Sequence, residues 1–136
     1  MSEPHRWVLD ASAALHVVMR LPTAEPIIER LEQATLVLVP QLYFSETANA
    51  LRKYVSSGQF SAEQAIERFQ EICLLPDQAI SDQTLAMEAL SLASSHNHPV
   101  YDMIYAVLAR RNACGVLSRD NRFAGLLGSL GVTVAP

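Results

Sequence analysis

Apolar positions along the chain alternate between short unbroken runs and longer stretches with helical spacing. Trp7-Val8-Leu9 is such a run, closed by Asp10, and it predicts a buried strand. Residues 11–19 then carry the pattern of a helix, and Asp10 stands where a carboxylate can cap its first turn. Leu21-Pro22-Thr23 breaks that helix, and residues 24–33 form a second amphipathic segment. Thr35-Leu36-Val37-Leu38-Val39 is β-branched and apolar, as befits a strand covered on both faces, and Pro40 ends it. Residues 41–57 predict a long helix with Phe44, Ala48, Leu51 and Val55 on its buried stripe and Gly58 as its stop. Ser61 and Gln64 have capping-box spacing for the next helix, whose apolar positions are Ala65, Ile66, Phe69 and Ile72. Gln78-Ala79-Ile80 predicts a short strand, residues 81–95 a helix, Asn97-His98-Pro99 a break and residues 101–112 another helix. Residues 115–118 follow as a strand, residues 120–127 as a short helix and Val132-Thr133-Val134 as a last strand.

Apolar strands alternating with helices specify the α/β class. The expected architecture is a three-layer α/β/α sandwich around a parallel sheet of four to five strands. Residues 1–136 are expected to form one domain, with no internal repeat or linker. Crossovers are expected to be right-handed, and because every parallel strand points the same way, whatever follows each strand lies at one edge of the sheet, where ligands bind at the reversal of strand order.

Three acids fall on that edge by topology. Asp10 ends the first strand, Glu46 lies in the first turns of the helix after the second, and Asp120 follows the 115–118 strand. Asp102 opens the helix that feeds that strand, so connectivity puts it at the opposite end unless the preceding loop rises over the sheet. Each acid also has a plain structural use. Asp10, Asp102 and Asp120 have the placement of helix N-caps, and Glu46 falls on the polar side of its helix with Asn49 and Lys53. Collectively they read differently. Two carboxylates ~5 Å apart repel by roughly 3 kcal/mol at an effective dielectric near 20. A cluster therefore persists only when protonated or neutralised. All-oxygen ligands suit Mg²⁺ or Mn²⁺, which can polarise a phosphodiester and lower the pKa of a bound water. Asn49 and Lys53, sharing a stripe with Glu46, are expected to line the same groove.

Composition narrows the function classes. Half the residues are hydrophobic and 18% are charged, which excludes a disordered tail. No apolar run reaches the ~20 residues of a membrane span, and the N-terminus lacks a signal-peptide pattern. Cys73 and Cys114 are the only cysteines, which excludes a disulfide framework and suits a cytoplasmic protein. The net charge of −4 argues against gripping nucleic acid by bulk charge. The balance is uneven, however: residues 100–136 hold Arg110, Arg111, Arg119 and Arg122 against two aspartates.

Four segments carry a family resemblance. Val8-Leu9-Asp10-Ala11-Ser12 resembles the opening motif of PIN domains, acid-rich nucleases of flavodoxin-like topology. Ser45-Glu46-Thr47-Ala48-Asn49-Ala50-Leu51 resembles their second motif, and Tyr101-Asp102-Met103-Ile104-Tyr105-Ala106-Val107-Leu108-Ala109 their third. Leu117-Ser118-Arg119-Asp120-Asn121-Arg122-Phe123 resembles the fourth, departing from its usual residues at Ser118, Arg119 and Asn121. The spacings between the acids are 36, 56 and 18 residues, and the resemblance spans essentially the whole chain. It is strongest to the small VapC-type toxins of toxin–antitoxin pairs. It implies that Asp10, Glu46, Asp102 and Asp120 are the catalytic, metal-binding acids, with Ser12 and Ser118 supporting the metal site. It thereby brings Asp102 into the site. It further implies Mg²⁺- or Mn²⁺-dependent endoribonuclease cleavage of RNA leaving a 5′-phosphate, a homodimer, and an antitoxin partner covering the acidic groove. Arg119 and Arg122 become candidate RNA-phosphate contacts.

Other readings remain at this level. A non-catalytic PIN-like binding or regulatory module would keep the acids as caps. A haloacid-dehalogenase-type phosphatase needs a second aspartate where Ser12 stands, and a receiver-like phospho-acceptor needs a late-strand lysine, whereas the only lysine is Lys53. His96-Asn97-His98 reads as a polar loop. Trp7 and Tyr43 read as core or interface aromatics, since no basic residues interleave with them.

Overall fold

The computed structural model describes residues 4–136. Strands β1 (Arg6–Leu9), β2 (Leu36–Pro40), β3 (Gln78–Ile80), β4 (Gly115–Leu117) and β5 (Val134–Ala135) form one sheet in the order β3-β2-β1-β4-β5. Every neighbouring pair is parallel. The order runs back from β3 to β1 and then continues at β4, so the direction reverses between β1 and β4. With right-handed connections, that reversal sends the helices before and after it to opposite faces.

One helical group is α1 (Ala11–Val18), α2 (Glu25–Gln33), α3 (Leu42–Ser56) and α4 (Ala62–Leu74), in which α1 touches the other three. A 3₁₀ turn at Pro22–Ala24 leads into α2. The other group is α5 (Gln83–His96) and α6 (Val100–Arg111), which pack on each other, α6 also lying against β1, β2 and β4. α7 (Asn121–Ser129) connects β4 to β5. Met103 to Ala109 are seven consecutive buried residues, so the middle of α6 is apolar on every side and enclosed, as a helix between a sheet and a second helix must be.

The strand core is Val8, Leu9, Val37, Leu38, Val39, Val116 and Leu117, all buried. Trp7 is buried as well and sits in register with Gly115, where a Cβ would come within 2.6 Å of the indole ring. Only glycine lets β4 approach that ring. The expected capping box of α4 is present: Ser61 Oγ accepts from the Gln64 amide, and Gln64 Oε1 from the Ser61 amide.

Two expectations shift. The last strand is Val134–Ala135 rather than residues 132–134, because Gly131 turns with φ +75° and the Val132 amide still bonds to Leu127 O at the end of α7. The buried stripe of α3 is Tyr43, Thr47 and Leu51. Ala48 and Val55, expected in that stripe, instead line an apolar groove against Ala65, Ile66 and Phe69 of α4. The sequence pattern was ambiguous because apolar residues occupy both faces. Tyr43 and Thr47 win the interior by hydrogen-bonding there, to Ile72 O and Tyr43 O respectively, each at 2.8 Å. Among the described residues no helix is long and apolar enough to cross a membrane.

Candidate active site

The reversal between β1 and β4 opens a cleft of 190 Å³ lined by Asp10, Ala11, Ser12, Glu46, Asp102, Tyr105, Asp120 and Phe123. All four sequence-predicted acids therefore meet in one place. A larger concavity, about 650 Å³, lies where β4 begins, among His5, Arg110, Cys114 and Thr133, and among the described residues no acid lines it.

Asp10 follows β1 directly and caps α1. Its Oδ1 accepts the Ala13 amide at 2.9 Å and the Ser12 hydroxyl at 2.7 Å. Ser12 Oγ in turn accepts the Arg119 amide at 2.9 Å and lies 3.5 Å from Ser118 Oγ, which accepts the Asp120 amide at 3.1 Å. The two serines thus tie the loop after β1 to the loop after β4. Asp120 caps α7, its Oδ1 accepting the amides of Arg122 and Phe123 at 3.0 and 3.2 Å. These are two of the three caps the sequence suggested. The third is not formed: α6 starts at Val100 with Pro99 in the cap position, and Asp102 lies inside its first turn.

Asp102 nevertheless reaches the cleft, against its connectivity-based placement. A helix that feeds a parallel strand runs antiparallel to it. α6, 12 residues or roughly 18 Å long, spans the sheet and brings its N-terminus back to the edge where the strands end. His98 Nε2 then donates to Asp102 Oδ2 at 2.7 Å, so His98 is not merely part of a polar loop. Glu46, half-buried rather than a free surface glutamate, accepts the Tyr105 hydroxyl on Oε1 at 2.7 Å. Tyr105 and His98 are the functional candidates that motif reading missed. The only signal was a hydroxyl or imidazole three or four residues from Asp102, on a helix whose apolar middle had to be buried.

The electrostatics follow from this packing. Burial pushes the Asp10 carboxyl up to about 6 from 3.8, with the Asp120 charge adding to the rise and the Ser118, Ala13 and Ser12 hydrogen bonds opposing it. Burial also raises Glu46, opposed by the Tyr105 hydroxyl and reinforced by the charges of Asp102, Asp10 and Asp82. Burial and the adjacent Glu46 hold Tyr105 far above the ordinary phenol range, so it stays a donor. The donor set is all oxygen and its charge is uncompensated by any cation in the cleft lining. That combination fits a hard divalent ion. Among the described residues, no three His, Cys, Asp or Glu side chains stand close enough to cage an ion by themselves. A cation that keeps part of its water shell needs no such cage.

The lesser candidates divide. Asn49 lines a second, shallower cleft with Glu46. Lys53 does not share it: it borders a separate concavity with Leu15, Ala50 and Tyr54. One further turn along α3 carries it away from the acids. Arg119 and Arg122 contribute backbone amides to Ser12 and Asp120. The Nε of Arg119 is buried with no hydrogen-bond partner among the described residues. Trp7 and Tyr43 are core residues. Cys114 is buried and Cys73 exposed, both as free thiols.

Solved structures share this fold. A protein from Pyrobaculum aerophilum, PAE2754, superposes with a TM-score of 0.70 at 20% identity, over 93% of this chain and 89% of that one. A toxin–antitoxin complex from Klebsiella pneumoniae contains a chain matching at TM-score 0.65 and 17% identity, over 95% of each. Mycobacterium tuberculosis VapC20, described as a sarcin-ricin-loop-cleaving toxin, matches at TM-score 0.64 and 15% identity, over 88% of this chain and 94% of its own. At such identities the likeness establishes the fold alone. No curated protein matches the chain by sequence. The model of the PIN domain matches residues 7–126, spanning all four acids, and the chain belongs to the PIN domain family.

Proposed function

We propose that this protein is a divalent-metal-dependent endoribonuclease, the toxin of a toxin–antitoxin pair, acting in the cytosol as a homodimer. The observation that carries the reading is the convergence of Asp10, Glu46, Asp102 and Asp120 on one cleft at the strand-order reversal of a PIN-family chain. The relatives supply the rest of the support: one solved neighbour is a toxin–antitoxin complex and another an RNA-loop-cleaving toxin.

In this reading the four carboxylates hold Mg²⁺ or Mn²⁺, which supplies Lewis-acid chemistry for phosphodiester hydrolysis when bound. The chain contributes positioning and charge. Ser12 and Ser118 lock the loops that carry Asp10 and Asp120. Tyr105 and His98 each occupy one oxygen of Glu46 and Asp102. The guanidinium groups of Arg119 and Arg122 take substrate phosphate, offsetting the negative cleft. No side chain in the cleft is set up as a covalent nucleophile. Among the described residues no His or Lys side chain bonds to the Ser12 hydroxyl, which donates to Asp10, one of the proposed ion ligands, and accepts the Arg119 amide.

The test is cleavage of end-labelled RNA by the purified protein with Mg²⁺ or Mn²⁺ against EDTA, beside Asp10→Asn. Cutting should require the ion and vanish in the variant while circular dichroism stays unchanged. Cutting that persists in EDTA, or in Asp10→Asn, would refute the reading. If no RNA is cut and the ions leave the melting temperature unchanged, the acids are structural, Asp10 and Asp120 as caps, and the chain is a non-catalytic module.

A further inference from the structure

The chain has nine aromatic side chains, and eight of them are buried or half-buried. The exception is Tyr101, 62% exposed at the start of α6 and immediately before Asp102. Its ring borders a shallow cleft of 230 Å³ together with Leu42, Ser45, Glu46 and Asn49. Glu46 also lines the carboxylate cleft, so the two hollows lie on either side of a shared side chain.

We propose that this second cleft is a nucleobase subsite, in which Tyr101 stacks one base of a single-stranded RNA beside the phosphate addressed by the carboxylates. The proposal rests on the ribonuclease reading and extends it to the form of the substrate. Three observations converge on it. The ring is the most exposed aromatic of the chain, and it lies one residue from a site acid. Unpaired bases are held by such faces, whatever their sequence. The polar groups beside it suit a base edge. Asn49 Oδ1 is engaged by Arg52 Nε at 3.2 Å, which leaves its amide hydrogens to donate. The Ser45 side chain is exposed and forms no hydrogen bond among the described residues. Finally, the chain is acidic overall and the carboxylate cleft strongly so, so attraction to phosphates cannot by itself seat the strand. Stacking is indifferent to that charge. The cleft, at 230 Å³, offers room for a base-sized group.

The experiment compares wild type with Tyr101→Ala, Tyr101→Phe and Tyr101→Trp on a short unstructured oligoribonucleotide. Tyr101→Ala should raise KM about tenfold with kcat nearly unchanged, and Tyr101→Phe should restore it, since the ring and not the hydroxyl binds. Emission from the exposed indole of Tyr101→Trp should be quenched by the oligonucleotide. It should be quenched far less by an abasic strand of equal length and charge. An unchanged KM in Tyr101→Ala, or equal quenching by the abasic strand, overturns the subsite while leaving the ribonuclease reading standing. An altered oligomer mass in Tyr101→Ala with unchanged KM would assign the ring to a protein interface instead. If the wild type cuts none of the RNA and Tyr101→Trp is not quenched, both readings fall together.

Discussion

On one side of the carboxylate cleft, Asp10 and Asp120 sit at helix N-termini and are held by backbone amides two or three residues away. On the other side, Glu46 and Asp102 lie within helices and are held by side chains, the Tyr105 hydroxyl and the His98 imidazole. The first pair is built by local geometry. A strand that ends, an acid that caps and a helix that begins need only a few consecutive residues. In the second pair the hold on Glu46 exists only when α3 and α6 are docked, since Tyr105 lies 59 positions from it. His98 is four residues from Asp102, and the packing of α6 on the sheet is what carries that pair into the cleft. The cleft thus joins a half that any strand–helix turn could supply to a half that depends on the packed core.

The largest effect should come from the amide-held half. Asp10→Asn and Asp120→Asn keep an oxygen for the backbone amides but lose charge. RNA cleavage should fall by more than about a hundredfold while circular dichroism shows the fold retained, as expected if the charge is there to hold an ion. Retained activity in either would separate the caps from the chemistry.

Next is the response to pH of the metal-free protein. The folded Asp10 carboxyl titrates near 6 against 3.8 in its ordinary state, so the folded chain holds the extra proton between those values. Stability should therefore be greatest at the acid end of that window and fall as pH rises through it, by up to about 3 kcal/mol. The raised Glu46 contributes with the same sign. Melting curves in EDTA across that range should show the decline, Asp10→Asn should flatten it, and Mn²⁺ should restore the lost stability above it.

The side-chain-held half gives an intermediate effect. Removing the Tyr105 hydroxyl with Tyr105→Phe, or the imidazole with His98→Ala, should weaken Mn²⁺ affinity by about 10- to 100-fold, the usual range for groups that orient metal ligands. Calorimetric titration reads this directly. An unchanged affinity would mean that Glu46 and Asp102 need no orientation. The smallest effect contrasts the halves in stability alone: Asp120→Ala should lose about 1 kcal/mol as a helix cap, while Asp102→Ala, which caps nothing, should lose less than about half of that.

The same division accounts for what could be read from the chain. The runs at Trp7-Val8-Leu9 and Thr35 to Val39, the Asp10 and Asp120 caps and the Ser61–Gln64 capping box are written in neighbouring residues, and the structure contains all of them. The resemblance to PIN motifs supplied what connectivity had withheld, the presence of Asp102 in the cleft. Its cause is the direction of α6, which a linear reading of loop and strand had left out. The rotation of α3 was not legible. Its buried face is chosen by Tyr43 and Thr47, whose polar atoms find partners only inside the packed structure. Lys53 was misplaced for the same reason, since sharing a helical stripe with Glu46 says nothing about where the cleft ends. His98 lay in a segment whose polarity suggested a solvated loop. Its imidazole is instead covered and turned onto Asp102.

The central claim is that these four carboxylates together hold a divalent ion, and Mn²⁺ binding followed by electron paramagnetic resonance tests it without any need to know the RNA. The wild type should bind Mn²⁺, and Asp10→Asn, Glu46→Gln, Asp102→Asn and Asp120→Asn should each weaken that binding. Binding that survives all four substitutions, or a wild type that binds none, would contradict it.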